Sequence, residues 1–348
     1  MRDLEQLVRK NIWNLKPYSC ARDEFKGEAS VFLDANENPF YSGYNRYPDP
    51  RQLALKAKIS KIKGIGAEHI MLGNGSDEPI DLVYRIFCEP GIDNVVAMEP
   101  TYGMYGVCAD INNIEYRRIP LNADYSLNVK AMLDAADANT KVMWLCSPNN
   151  PTGNLMNRND IYAVLNEFDG IVVIDEAYID FSSETSWLAE LDKFPNLIVL
   201  QTFSKAWAMA GARCGMAFAS TQIIDLFNKV KYPYNINSLT QNIVSERIDK
   251  VAEKESQVEL ILKERSRLAE ELKKCNIVEC VYPSDANFLL VKVADADKTY
   301  NALVGKGTIV RNRNTVKLCG NCLRITVGTK EENDILVKEC MMYDVWEP

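Results

Sequence analysis

The stretch from Leu197 to Gly215 constrains the fold of this chain more than any other. Leu197-Ile198-Val199-Leu200 is an unbroken apolar run, of the kind buried on both faces of a parallel sheet. The chain then turns through Thr202 and Ser204 and presents one lysine, Lys205, among Phe203, Trp207 and Met209. Small residues follow, then Gly211 and Arg213. Burial among such neighbours lowers a lysine's pKa and makes it a usable amine nucleophile. Such an amine forms a Schiff base with a carbonyl, including the aldehyde of pyridoxal phosphate. Ser204 and Arg213 are the right types to hold a phosphate beside it. Taken alone, the stretch is equally consistent with a surface lysine snorkelling from a helix start.

Two further buried-type strands lie upstream. Ile171-Val172-Val173-Ile174 ends in Asp175, with Tyr178 three residues on. Parallel strands deliver functional residues at their carboxyl ends. A carboxylate there suits a protonated pyridine nitrogen, and Tyr178 suits a ring hydroxyl. Val142-Met143-Trp144-Leu145-Cys146 runs into Ser147-Pro148-Asn149-Asn150-Pro151-Thr152-Gly153. The order Asn-Pro-Thr-Gly, Asp-x-x-Tyr, Ser-Lys, then an arginine eight residues after the lysine resembles the fold-type I pyridoxal-phosphate-dependent aminotransferases. That resemblance implies a large α/β domain with a mostly parallel seven-stranded sheet, and a small α+β domain.

Composition narrows the alternatives. The 348 residues lead us to expect one large domain and a smaller one. The net charge of −8 leaves no basic surplus for nucleic acid. No apolar run is long enough to span a bilayer, and Met1-Arg2-Asp3-Leu4 opens without an apolar signal segment. A cytoplasmic location is therefore expected. Cys88, Cys108, Cys146 and Cys214 read as reduced core residues. Cys319 and Cys322 have CxxC spacing, but a zinc site needs two further ligands and the lone histidine, His69, is remote in sequence; no metal is expected.

Residues 1–30 read as an arm, with Leu4, Leu7, Val8 and Ile12 on one side of a short helix that buries itself on its own domain or on a partner subunit. Val31 to Leu33 reads as a strand entering a polar turn, and Leu53 to Lys61 as a helix. The segments Leu15-Lys16-Pro17-Tyr18, Leu33-Asp34-Ala35-Asn36-Glu37-Asn38-Pro39 and Asn45-Arg46-Tyr47-Pro48 are similar to those of one subfamily, the histidinol-phosphate aminotransferases. With the later motifs, this resemblance covers essentially the whole chain. It implies a homodimer in which Tyr47 reaches the cofactor phosphate of the other subunit, while Tyr18 lies near the substrate. Read alone, either tyrosine is a partly buried packing residue.

Ile70-Met71-Leu72-Gly73-Asn74-Gly75-Ser76-Asp77 is a strand, a glycine turn and a helix start, a good place for a phosphate. The missing third glycine disfavours a dinucleotide fold. Gly75, Ser76 and Asp77 match the phosphate cup of the aminotransferases; Ser76 and Asp77 also serve as plain helix caps. Tyr102 follows the strand Val95-Val96-Ala97-Met98, and the resemblance places it on the pyridine face. Strands and helices alternate as in a doubly wound sheet, with a strand over 114–119 and a helix over 130–138. A long charged helix over 239–274 is expected to connect to a small domain with strands near 277–281, 287–293, 308–313 and 322–327, and a helix near Thr299. The expected organisation is thus an arm (1–30), a large cofactor domain (31–250, with 31–47 free to pack on the small domain) and a small domain with its connecting helix (251–348).

What the resemblance implies about chemistry is specific. Lys205 carries pyridoxal phosphate and shuttles the proton, Asp175 keeps the ring nitrogen protonated, and Asn150 and Tyr178 bond the ring hydroxyl. Gly75, Ser76, Asp77, Ser204, Arg213 and the partner's Tyr47 hold the phosphate. Arg311 and Arg324 serve the anionic end of substrates, their guanidinium forks matching carboxylate and phosphate alike; surface ion pairs are the plain alternative for both. The implied reaction is amino-group exchange between histidinol phosphate and 2-oxoglutarate. A broad-specificity or aromatic aminotransferase and a phosphothreonine decarboxylase share these cofactor residues.

Overall fold

The computed structural model describes residues 2–20, 24, 27 and 29–342. Two single helical turns, Leu4–Leu7 and Lys10–Trp13, open it. The expected single amphipathic helix is therefore broken, with Val8 extended between the turns. Leu7, Val8 and Ile12 are buried against the chain's own core, which settles this part of the arm on its own body. Several residues between 21 and 28 lie outside the described set.

Residues 31–33 form no strand. A strand needs a neighbour to pair with, and this segment reaches no sheet edge; Leu33 is 88% exposed. The loop that follows is tied by an Arg46–Glu37 ion pair at 2.6 Å and by the Tyr47 amide donating to Glu37 Oε1 at 2.7 Å. Its contacts are with the chain near Tyr234, whose ring stacks on Tyr47 at 4.4 Å.

The main body alternates as expected. Its elements are α1 (Leu53–Lys63), β1 (Ile70–Asn74), α2 (Asp77–Phe87), β2 (Asn94–Glu99), α3 (Met104–Ile111), β3 (Glu115–Pro120), α4 (Val129–Asp134), β4 (Thr140–Cys146), α5 (Arg158–Glu167), β5 (Ile171–Asp175), β6 (Leu197–Thr202), β7 (Cys214–Phe218) and α6 (Thr221–Val230). The helix expected over 130–138 ends four residues early. The sheet order is β1-β7-β6-β5-β4-β2-β3, and β7 alone runs against the other six strands.

Both faces of this sheet are covered, which is why its central strands are apolar throughout. Alternation sorts them: Met143, Leu145, Val172, Ile174, Leu197 and Val199 join one core, and Trp144, Ile171, Val173, Ile198 and Leu200 the other. The parallel strands β4, β5 and β6 all end at one edge. Because β7 is antiparallel, it begins at that same edge, and so the residue before it, Arg213, is delivered there as well.

The long charged helix is in fact two helices, α7 (Ser238–Arg247) and α8 (Val251–Leu272). The break falls at Ile248, which is buried. α8 is also less solvated than its charge suggests. Val258, Leu268 and Leu272 are buried, and Arg265 donates to the carbonyls of Ala286 at 2.8 Å and Phe181 at 3.3 Å. Beyond it lie β8 (Val278–Val281), β9 (Phe288–Val293), α9 (Ala296–Lys306), β10 (Arg311–Asn312), β11 (Cys322–Thr326) and α10 (Lys330–Met341). The four strands pair antiparallel in the order β10-β11-β9-β8. α10, absent from the sequence reading, starts with a capping box between Thr329 and Glu332.

One face of the four-stranded sheet, with Leu289, Val291, Leu323 and Ile325, packs with α8, α9 and α10. The other face contributes Phe288, Leu290 and Cys322 to a core shared with the seven-stranded sheet. That shared core fixes the smaller sheet beside the strand ends.

Candidate active site

At the common edge of β4–β7 lies a cavity of about 140 Å³. Nine of the residues singled out in the sequence line it: Ser76, Asp77, Tyr102, Asn150, Asp175, Tyr178, Ser204, Lys205 and Arg213. A larger cleft of about 520 Å³ lies elsewhere, around Arg158 and Trp187, and includes none of those nine.

Asp175 sits at the end of β5 on the Ile171–Val173 face, and is buried. The Tyr105 hydroxyl donates to its Oδ2 at 2.7 Å, and the Ala177 amide donates to its Oδ1 at 3.0 Å. Burial pushes this carboxyl's pKa up; those two donors and the Lys205 ammonium pull it down. Tyr105 was not picked out in the sequence. It lies on α3, stacks on Trp144 at 4.8 Å and meets Tyr102 edge-on at 5.7 Å. Its only sequence signal is its place one helical turn after Tyr102.

Lys205 is shifted down, first by burial and then by Arg324, against the pull of Asp175 and Asp77. Its Nζ stands 5.6 Å from the centre of the Tyr178 ring. The Tyr178 phenol is raised by burial, so it stays a neutral donor. Asn150 joins two parts of the site. Its Nδ2 donates to the Tyr178 hydroxyl at 3.4 Å, and its Oδ1 accepts from Arg324 Nη1 at 2.5 Å. Arg324, on β11, is thus brought from the smaller sheet to the rim.

The opposite end of the cavity is built from the start of α2 and the turn before β7. Asp77 accepts from the Tyr102 hydroxyl at 3.0 Å and from Arg213 Nη2 at 3.4 Å. Gly75 has φ +71°, and a Cβ there would lie 2.4 Å from Arg213 Nη2. Gly215 is equally constrained, because its Cβ would lie 2.4 Å from the Gly75 backbone. Arg213 itself adopts φ +53°, an uncommon conformation for a side-chain-bearing residue. Thr202, also missed, bonds the Ser204 hydroxyl at 3.0 Å and accepts from its amide at 3.1 Å.

Five of the residues singled out do not line the cavity: Gly75 and Arg324 border it, while Tyr18, Tyr47 and Arg311 stand apart from it within this chain. Tyr18 is exposed, and Tyr47 stacks on Tyr234. Arg311 is exposed on β10, directly opposite Arg324. Among the described residues, no group of three or more His, Cys, Asp or Glu is placed to hold a metal ion.

The arrangement fits pyridoxal phosphate on its own chemistry. A buried carboxyl whose charge is destabilised by burial is suited to a cationic ring nitrogen, and a partly desolvated lysine to an aldehyde. Ser204, Arg213 and the helix start at Asp77 form a phosphate cradle, and a Cβ at position 75 would press on the Arg213 guanidinium in it.

Fold and site together define a pyridoxal-phosphate-dependent aminotransferase, and the model of the family "Aminotransferase class I and II" matches residues 31–339. The chain is 59% identical to a histidinol-phosphate aminotransferase of Parabacteroides distasonis, over 97% of this chain and 98% of that one. The chain belongs to the histidinol-phosphate aminotransferase family within this class. Among solved structures, the histidinol-phosphate aminotransferase of Clostridium acetobutylicum superposes with a TM-score of 0.80 at 23% identity, covering 87% of this chain and 92% of that one. That of Sinorhizobium meliloti, solved with pyridoxal-5'-phosphate, gives 0.77 at 21% identity, over 85% and 82%. These two similarities bear on the fold.

Proposed function

We propose that this enzyme moves the amino group of histidinol phosphate, the substrate in its relatives' names, to 2-oxoglutarate, in the cytoplasm and as a homodimer. One observation supports a substrate with an anionic tail. Arg324 reaches Asn150 at 2.5 Å, which sets a charged fork beside Lys205, where an anionic substrate tail is needed.

When bound, the cofactor supplies an electron sink for the carbon that bears the amine. The rest falls to the chain. Lys205 Nζ would hold the cofactor and, as a free amine, would move a proton between the substrate carbon that bears the amine and the cofactor carbon on the other side of that nitrogen. Its lowered pKa keeps a larger fraction in the free-base form that this requires. Asp175, whose carboxyl accepts from Tyr105 and Ala177, would pair with the ring nitrogen. Tyr178 and Asn150 would donate toward the ring oxygen, Tyr102 would lie against the ring, and Gly75, Ser76, Asp77, Ser204 and Arg213 would hold the phosphate. Arg324 and Arg311 orient the substrate's anionic end.

The homodimer reading rests on the loop around Tyr47. It exposes Phe40, Tyr41 and Tyr44 together, an apolar surface suited to a second copy. In that reading Tyr47 completes the partner's phosphate site, and Tyr18 approaches a substrate. We also place the unit boundary near residue 250, with the cofactor domain at 31–250 and the small domain, connecting helix included, at 251–348.

The test is turnover by the holoenzyme with 2-oxoglutarate, comparing histidinol phosphate, phenylalanine and phosphothreonine as donors. Glutamate formation is expected to be fastest with histidinol phosphate. Preference for phenylalanine, or release of carbon dioxide from phosphothreonine, would refute the reading.

A further inference from the structure

The alternating run Arg311-Asn312-Arg313-Asn314 contains a third arginine that neither the motifs nor the relatives' names single out. Alternation along an extended segment sends successive side chains to opposite faces. Asn312 and Asn314 both go to the helix side, where their Nδ2 atoms donate to Asp297 of α9 at 2.6 and 2.8 Å. Arg311 and Arg313 therefore face the other way. The pairing agrees: Arg311 lies opposite Arg324, and the Arg313 amide donates to the Cys322 carbonyl at 2.9 Å. Cys322 and Arg324 are two apart on β11, so all three arginines share the face turned toward the cavity.

None of the three has a carboxylate partner among the described residues. Arg324 is bonded to an amide, and the Nε of Arg313 is buried without an acceptor. Burial, with Arg324 and Arg311 beside it, brings the Arg313 guanidinium down to about 10, so it stays charged at neutral pH. In a chain of net charge −8, three clustered, uncompensated cations favour a ligand of high negative charge.

We propose that Arg313 is a specificity residue that reads the phosphate of the substrate, adding a third guanidinium to Arg311 and Arg324 and leaving the carboxylate substrate to those two. This rests on histidinol phosphate being the substrate. A carboxylate presents two oxygens and one charge, which one fork satisfies. A phosphate monoester presents three oxygens and close to two charges, and accepts from further donors. Arg313 thus contributes when the phosphate is bound and is idle when glutamate is.

The experiment uses the holoenzyme and measures kcat/KM for histidinol phosphate, for histidinol, which lacks the phosphate, and for glutamate, in wild type, Arg313→Gln and Arg313→Lys. Arg313→Gln is expected to lower the value for histidinol phosphate by roughly ten- to a hundredfold, the range of a lost charge-assisted contact. Histidinol and glutamate should stay within about twofold of wild type, and Arg313→Lys should restore part of the loss, since charge returns without the fork. The ratio of histidinol phosphate to histidinol within each variant does not depend on how much protein folds. An unchanged ratio in Arg313→Gln overturns the proposal, whether the activities hold or fall together. A wild-type enzyme with no preference for histidinol phosphate over histidinol overturns the underlying substrate reading as well, and is seen before any variant is made.

Discussion

Replacing Tyr105 with phenylalanine tests what favours ionisation of the buried acid of this site. The ring would stay where it is, stacked on Trp144 at 4.8 Å and edge-on to Tyr102, so packing is conserved. Only the hydroxyl that donates to Asp175 Oδ2 at 2.7 Å is lost. A hydrogen bond to a charged, buried acceptor contributes about 1.5–3 kcal/mol. Asp175 retains the Ala177 amide on its other oxygen, so the loss is of one donor out of two from the chain. If that energy is felt in the barrier, transamination falls roughly ten- to a hundredfold. The sign of the pH effect follows from the same bond. The Tyr105 hydroxyl favours the ionised carboxyl against the burial that opposes it. Removing it favours the protonated form, so the acidic limb of the pH–rate profile moves to higher pH and part of the lost rate returns in alkali. The assay is kcat/KM across pH for wild type and Tyr105→Phe, with thermal unfolding as a control for packing. Superimposable profiles, or a drop that is uniform across pH, would refute the assignment of Tyr105 as a positioning residue for Asp175.

Lys205→Ala should abolish the absorbance of the lysine-bound cofactor and essentially all turnover; a spectrum and rate like wild type would remove Lys205 from its role. Asp175→Asn should slow transamination by orders of magnitude, yet leave the cofactor-free protein at least as stable as wild type at neutral pH. Burial raises the Asp175 pKa in the fold, so its unfavourable contribution grows as pH rises above the unfolded value of about 4 and vanishes below it. Melting curves of the two cofactor-free proteins from acid to neutral pH check this, and a destabilised Asp175→Asn at neutral pH contradicts it. Mixing Tyr47→Ala with Lys205→Ala should recover part of the activity, because one site of each mixed dimer holds both residues; sedimentation as an active monomer would end the shared-site reading.

The gathering of the candidate residues was legible in the sequence because strand ends carry them. Asp175, Lys205 and Asn150 each follow an apolar run, and a parallel sheet gathers such ends at one edge whatever the details of packing. Arg213 was legible by its spacing from Lys205, although it reaches the site only because β7 reverses direction. Local signals failed where the deciding partner is distant. Residues 31–33 have strand-like composition but no sheet edge to join, and the charged run over 239–274 hid a break between Arg247 and Val251. Tyr105 looked like one more core aromatic, since its hydroxyl acquires meaning only through Asp175, seventy positions away in the chain. Arg313 is a similar case. Its alternation with asparagines was visible in the letters, but which face those asparagines take was decided by Asp297 on a separate helix. Sequence periodicity determines which residues share a face. Only tertiary packing decides what that face meets, because burial, charge and hydrogen-bond partners are supplied by segments far away along the chain.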